Sequence, residues 1–392
     1  MNIIPLLPPA PASVFQQPSD RDRKAAERFA AAIGIRALVV TATALVAFLQ
    51  APLAAAQPPQ QPQDAANPPL GPSGYRLAAT WKPGGEGGWD YLTLDAAARR
   101  LYVARDNRVQ VLDADSGKLI GEVPGVDGAH GVVTVPDLNR GFVTAGRSGT
   151  VVVFDTTTLQ PIGTPISVGK KPDAIFFDPA TRRIFAFNGE SQDTTVIDAS
   201  KAEVIATLPL GGKPEFAAGD EHGRVFVNIE DTNETVAIDA QLPGVEKRWP
   251  LAPGETPTGL CMDPAVGRLF VGCHNEKMVV LDSNSGKVIA TLPIGKGVDA
   301  TEFDPGTKLA FSSNGEGTLT VVAAAGEPFH VVENVPTKRG ARTMALDPKT
   351  HAVYLAAADY EPAPAPTADQ PRPRPKMIPG TFVILKFERT SK

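Results

Sequence analysis

Seven evenly spaced repeats, four short strand-like runs in a unit, and no stretch of helical periodicity predict an all-β chain. The architecture they specify is a seven-bladed β-propeller with four antiparallel strands per blade. An acidic residue, often in Asp-Pro, closes a short apolar run at Asp95, Asp137, Asp178, Asp220, Asp263, Asp304 and Asp347. The steps between them are 42, 41, 42, 43, 41 and 43 residues. A second run follows each anchor (RLYVA, GFVTA, RIFAF, RVFVN, RLFVG, LAFSS, AVYLA), and then a third (VQVLD, VVVFD, TVIDA, VAIDA, MVVLD, LTVVA, FVILKF). A fourth ends several units, as in VIATLPLGGKP and VIATLPIGKG. The runs are rich in Val, Ile, Phe and Thr, and Gly, Asn, Asp or Pro separates them, which is the punctuation of strands joined by tight turns. Runs such as VVVF are apolar on both faces, as expected where a sheet is sandwiched between two others.

From the N-terminus, residues 21–36 are basic, residues 37–49 are uncharged and apolar, and Ala54 and Ala56 form an A-x-A pattern before Gln57. That order predicts a Sec-type signal peptide over 1–56, cleaved after Ala56. The apolar run is short for a membrane span, so no span is expected after cleavage and the location is periplasmic or secreted. Residues 57–74 are Pro-, Gln- and Gly-rich and read as a disordered spacer. Residues 75–81 (YRLAATW) are an orphan strand, and the last repeat stops at its third run near the C-terminus. LAATWKPGGEGGWDYLTLD aligns with VIATLPLGGKPEFAAGD, so the N-terminal strand should complete the last blade and close the ring over 75–390. Closure removes open sheet edges. Residues 361–380 (EPAPAPTADQPRPRPKMIPG) are expected as a Pro-rich surface loop inside the seventh blade.

Composition narrows the function. The formal net charge of -5 becomes -7 once residues 1–56, with five basic and three acidic side chains, are removed, so no nucleic-acid partner is expected. No CxxCH occurs, which excludes covalent c-type haem. There is no GxSxG elbow, P-loop or GxGxxG in a βαβ setting, and the glycines of GGEGG at 84–88 serve a turn. Two cysteines exclude a disulfide scaffold. In a simple hairpin Cys273 pairs near Thr258, placing Cys261 about 10 Å along, beyond the roughly 7 Å limit for a bridge. Two separate buried thiols are expected, and a Cys273–His274 redox or copper pair is a remote alternative.

The pattern G-x-x-P-[DE]…D-P…[LI]-[FY]-V…V-x-D…G-K-V-I-A-T-L-P-[LI]-G, with pieces such as GAHGVV, GKKPDAIFFDP, PTGLCMDP and PGTFVIL, resembles the YVTN-repeat, or YncE-like, family of exported seven-bladed propellers. The resemblance spans residues 75–390. It implies an exported propeller and no agreed activity, since members share architecture above all.

In such a ring, the loops entering each innermost strand share one face, around the mouth of the central channel. That position holds Asp90, His130, Asp173, Glu215, Thr258, Asp299 and Arg342. Loops after the second strands add Arg105, Arg147, Asn188, Glu190, Asn228, Glu230, His274, Asn275, Asn314, Glu316 and Asp359. Carboxylates brought together favour a bound cation, a raised pKa or an Arg partner. The ligand set expected is Asp90, His130, Asp173, Glu215, Asp299, Arg342, His274, Asn188 and Asn228, with Asp173, Glu215 and Asp299 as candidate ligands of a divalent cation. The alternative is that these side chains are merely solvated or cap the turns beside them. His222 and His351 should lie on the opposite face and His330 on an outer strand.

Two functional readings follow. One is a binding module that takes a small ligand, a cation or a periplasmic protein at the mouth. The other is a lactonase, hydrolase or lyase in which a carboxylate-bound divalent cation polarises a substrate oxygen. There His130 would move a proton and Arg342 would hold negative charge.

Overall fold

The computed structural model describes residues 71–365 and 375–390. The expected signal peptide, the spacer up to residue 70 and the middle of the Pro-rich loop lie outside the described residues.

The strand after the spacer, β1, is Tyr75–Trp81. The first blade is β2 (Leu92–Asp95), β3 (Arg100–Arg105), β4 (Arg108–Asp113) and β5 (Leu119–Pro124). The second is β6 (Ala129–Val135), β7 (Arg140–Ala145), β8 (Thr150–Asp155) and β9 (Ile166–Ser167). The third is β10 (Pro172–Asp178), β11 (Arg183–Asn188), β12 (Asp193–Asp198) and β13 (Glu203–Pro209). The fourth is β14 (Pro214–Gly219), β15 (Arg224–Ile229), β16 (Glu234–Asp239) and β17 (Gly244–Pro250). The fifth is β18 (Pro257–Asp263), β19 (Arg268–Cys273), β20 (Lys277–Asp282) and β21 (Val288–Pro293). The sixth is β22 (Val298–Asp304), β23 (Leu309–Asn314), β24 (Thr318–Ala323) and β25 (His330–Pro336). The seventh is β26 (Met344–Leu346), β27 (Val353–Ala357), β28 (Val383–Arg389) and, outermost, β1.

Each blade is one antiparallel four-stranded sheet, and the inner strands touch in order around the ring, β26 meeting β2. β1 pairs with β28 from Tyr75↔Arg389 to Trp81↔Ile384, so the first described strand completes the blade built by the last. Among the described residues there is no α-helix, only a short 3-10 turn at Pro136–Leu138, and no helix long and apolar enough to cross a membrane.

One fully buried aromatic stands third in the second strand of each blade except the last, where it is second: Tyr102, Phe142, Phe185, Phe226, Phe270, Phe311 and Tyr354. Each withdraws enough apolar surface to contribute roughly 1.5–3 kcal/mol, so the blade-to-blade core is renewed once per repeat. Polar ties join neighbouring blades at their rims. Arg140 Nη1 donates to Ser200 O (2.6 Å) and Arg183 Nη1 to Gln241 O (2.7 Å), each reaching a turn of the next blade. Tyr354 donates to Ala114 O (2.8 Å) across the closure.

Most of the repeat-anchoring acids cap the turn they begin. Asp95 Oδ1 accepts from Ala98 N (2.8 Å), Asp178 Oδ2 from Thr181 N (2.9 Å) and Asp304 Oδ1 from Gly306 N (2.9 Å). Asp137 departs from the pattern. Val135 ends the inner strand there, Asp137 falls inside the 3-10 turn opened by Pro136, and its carboxylate pairs with Arg182 at 2.7 Å. The spacer also ends earlier than expected. Ser73 is buried, its backbone N–H donates to Glu333 Oε2 (2.9 Å), and Thr390 N donates to Gly74 O (2.9 Å). Cys261 and Cys273 are buried, separate thiols. Burial pushes the Cys273 thiol up to about 12, which leaves it unreactive as a thiolate.

Candidate functional site

Five inner strands carry the mouth residue in second place: His130, Asp173, Glu215, Thr258 and Asp299. In each, the pairing register shifts just after the first residue. Such a bulge leaves a residue unpaired and re-aims its side chain, here from the ladder towards the channel. Asp90 enters just before β2, its N–H donating to Ala104 O (3.2 Å), and Arg342 just before β26.

Neighbouring blades hold this ring in place. Thr144 Oγ1 donates to Asp173 O (2.5 Å), Asn228 Nδ2 to Thr258 O (3.0 Å) and Ser313 Oγ to Arg342 O. At Gly131 the blades approach so closely that a Cβ would sit 2.9 Å from Ile175 N, which only glycine avoids. The loop carrying Asp90 is organised by Arg105, fully buried under GGEGG. Its guanidinium donates to Gly84 O (3.3 Å), Gly85 O (3.1 Å), Gly87 O (3.0 Å), Gly88 O (3.1 Å) and Gln110 Oε1 (2.7 Å), with Phe382 stacked 3.8 Å away. Carbonyls, rather than N–H groups, point into that loop, so it is a socket for Arg105 and no anion cradle. Burial lowers the Arg105 pKa to about 10, still charged at neutral pH.

The structure brings Asp90, His130 and Asp173 together. His130 Nδ1 bonds to Asp90 Oδ2 and lies 3.5 Å from Asp173 Oδ1, and one ligand atom from each of the three lies within 4.8 Å of the others. Burial disfavours the imidazolium, but the two carboxylates outweigh it and the His130 pKa ends raised. Asp173 is raised too, by burial first and then by Asp90. Burial and Asp173 push Glu215 up to about 8, although Lys213 Nζ donates to it at 2.5 Å and bridges to Glu230. Asp299, 3.5 Å from the Nε of the half-exposed Arg342, rises to about 6, again chiefly through burial.

Several expected members stand elsewhere. Asn188 and Asn228 are fully buried and do not face the mouth: Asn188 Nδ2 donates to Asp193 Oδ1 (2.6 Å), while Asn228 clasps the next blade. Thr258 is buried and makes a backbone tie to Asp299 O (3.4 Å). His274 is exposed beyond the ring, with only its backbone bonded, to Thr256 O (3.1 Å). His351 lies in the opposite-face turn, bonded to Asp304 Oδ2 (2.8 Å). The cation set expected from Asp173, Glu215 and Asp299 is regrouped, because Lys213 and Arg342 already engage the last two.

Sequence reasoning missed Lys213 and Tyr91. Tyr91 stacks on Phe216 with ring centroids 4.6 Å apart, joining the first and fourth blades across the channel beneath the acids. Burial, then Asp173 and Glu215, raise its hydroxyl pKa well above normal. The signal was present in the repeat: at the position after the mouth residue the other blades carry Gly131, Ala174, Gly259, Ala300 and Thr343, and only these two carry an aromatic. Grooves of about 450 Å³ occur elsewhere, one beside Leu77 and Leu385 at the edge of the last blade, but none gathers carboxylates as the mouth does.

No family model matches the chain. Antigen Lp49 of Leptospira interrogans is 25% identical over 244 residues, covering 57% of this chain and half the length of that protein. Hydrazine synthase of Kuenenia stuttgartiensis superposes with a TM-score of 0.61 at 16% identity, over 70% of this chain and 93% of that one. At that identity the superposition speaks for the propeller fold alone.

Proposed function

We propose that this chain is an exported propeller of the YVTN-repeat type that binds a cationic ligand at its channel mouth, a divalent metal ion on Asp90, His130 and Asp173. The observation that carries the reading is an imidazole held between two carboxylates, in a mouth where acids outnumber the bases facing them. Mixed oxygen and nitrogen donors suit first-row divalent ions, and three protein ligands leave positions open to water or substrate. The proton on His130 must leave when its nitrogen ligates, so affinity should rise with pH.

The open positions favour a second reading, a metal-assisted hydrolase or lyase. In it Arg342, half-exposed at the rim beside Asp299, orients an anionic substrate group. Tyr91 contributes a floor that excludes water from below. The Lp49 likeness adds no activity.

Elemental mass spectrometry of the purified protein, after dialysis without chelator, tests the reading. One equivalent of a divalent ion, lost in Asp173→Asn and in His130→Ala, is the expected result. Absence of metal, together with no saturable Zn²⁺ or Mn²⁺ binding by titration calorimetry, overturns it.

A further inference from the structure

The channel is not one space. Tyr91 and Phe216 meet across it, and below them a cavity of about 390 Å³ opens on the opposite face, between the inner strands of blades three to six. Its walls are Phe176, Phe216, Leu260 and Met262, and its rim includes Glu221. One acid, the half-buried Glu302 of β22, lines the cavity beside these side chains, with Thr301 and backbone polar groups making up much of the rest of its surface. Among the described residues no hydrogen bond or neighbouring charge compensates it, and burial pushes its pKa up to about 8.

We propose that this lower chamber is a second binding site, selective for a small organic ammonium ion, with Glu302 as its anionic anchor and the phenylalanine faces as its walls. A half-buried carboxylate without a partner is incompletely solvated, and a cation of matching size restores the lost interaction. Aromatic faces attract cations by about 0.5–2 kcal/mol each. The volume falls in the range of small-molecule pockets. A metal ion is poorly served, because a single carboxylate supplies too few charged oxygens. This chamber lies apart from the mouth and does not depend on the reading given for it.

The binding is set by one titration. β18 brings the Cys261 thiol, held neutral by burial, and β19 brings Cys273 and Arg268, the latter paired with Asp282 at 2.7 Å. β23 and β26 bring no titratable side chain. At the lower rim Asp263 is engaged by Lys308 (3.2 Å) and Asp304 by His351 (2.8 Å), Asp178 and Asp220 accept from their own turns at Thr181 N (2.9 Å) and His222 N (2.8 Å), and Glu221 is the rim acid that lines the cavity. A permanent cation therefore gains affinity as Glu302 ionises through about pH 8.

The test is calorimetric titration of the full chain with choline and with its uncharged carbon isostere, at about pH 6.5 and about pH 9. Saturable choline binding that tightens roughly tenfold or more at the higher pH, with the isostere much weaker, is expected. Glu302→Gln should remove both the pH dependence and at least tenfold of the affinity, while Asp173→Asn at the mouth leaves both unchanged. A thermal melt at about pH 5, where Glu302 is neutral in the folded state, verifies that the Gln variant folds. No saturable binding, equal binding of the isostere, or binding lost in Asp173→Asn but kept in Glu302→Gln overturns the proposal.

Discussion

The two ends of the central channel are built from the same seven strands and differ in how charge is handled. At the mouth the acids of the ring have partners: His130 for Asp90 and Asp173, Lys213 for Glu215 and Glu230, Arg342 for Asp299. At the lower end Glu302 has none among the described residues, and phenylalanine, leucine and methionine side chains line the cavity with it. The mouth is also tied from behind by hydroxyl and amide side chains of the adjoining blades, as at Thr144 and Asn228. The lesson is that one repeat can support both a densely paired polar site and one with a single unpaired acid, depending on two or three positions per strand.

The largest effect should come from removing the partition between the two ends. Phe216→Ala takes away a ring packed against Tyr91 and against the cores on both sides of it, and should cost about 3–5 kcal/mol in chemical denaturation. It should also let a cation bound below reach the mouth. Arg105→Met comes next. It leaves four loop carbonyls and Gln110 without their donor, so a loss of roughly 3 kcal/mol is expected, together with weakened metal retention because the loop positions Asp90.

A sharper separation of the ends comes from pH. Glu302 has a folded pKa of about 8 against an ordinary 4.5, so the unfolded chain ionises first. Wild-type stability should therefore fall as pH rises from about 4.5 to about 8 through this group, and level off above. Glu302→Gln should be more stable than wild type by about 1–2 kcal/mol near pH 9 and indistinguishable near pH 4, read from urea midpoints. The smallest effect belongs to Thr144→Val, which deletes the tie to Asp173 O. About 1 kcal/mol should be lost, and metal affinity at the mouth should drop while choline binding below is unaffected.

The ring was legible because each repeat carries the same burial problem. The aromatic of the second strand recurs from Tyr102 to Tyr354 and the turn-capping acid from Asp95 to Asp347, so spacing alone counted the blades. The convergence of Asp90, His130 and Asp173 was legible for the same reason, since aligned repeats place equivalent residues at one end. What spacing could not supply is orientation. A shift of one residue turns a side chain to the other face of a strand, and Asn188 and Asn228 fall on that side, closed over by their own blade or clasping the next. Asp137 shows the opposite error, in which the right residue type stands two places past the strand end because Pro136 starts a 3-10 turn. Glu302 lies in an ordinary inner strand, and nothing in its own sequence neighbourhood announces that the opposite wall is aromatic.

The pairing of β1 with β28 has a consequence for how the molecule comes into being. Of the described strands, the one made first must wait for the one made last, so the final sheet cannot be completed until some three hundred residues have followed β1. Six blades can assemble as local hairpins, but the seventh is a long-range event. Because Thr390 N already reaches Gly74 O at 2.9 Å, the two ends of the circle are adjacent in space. Joining them and reopening the chain in an exposed turn such as Asp115–Ser116 would move the seam without changing a single blade.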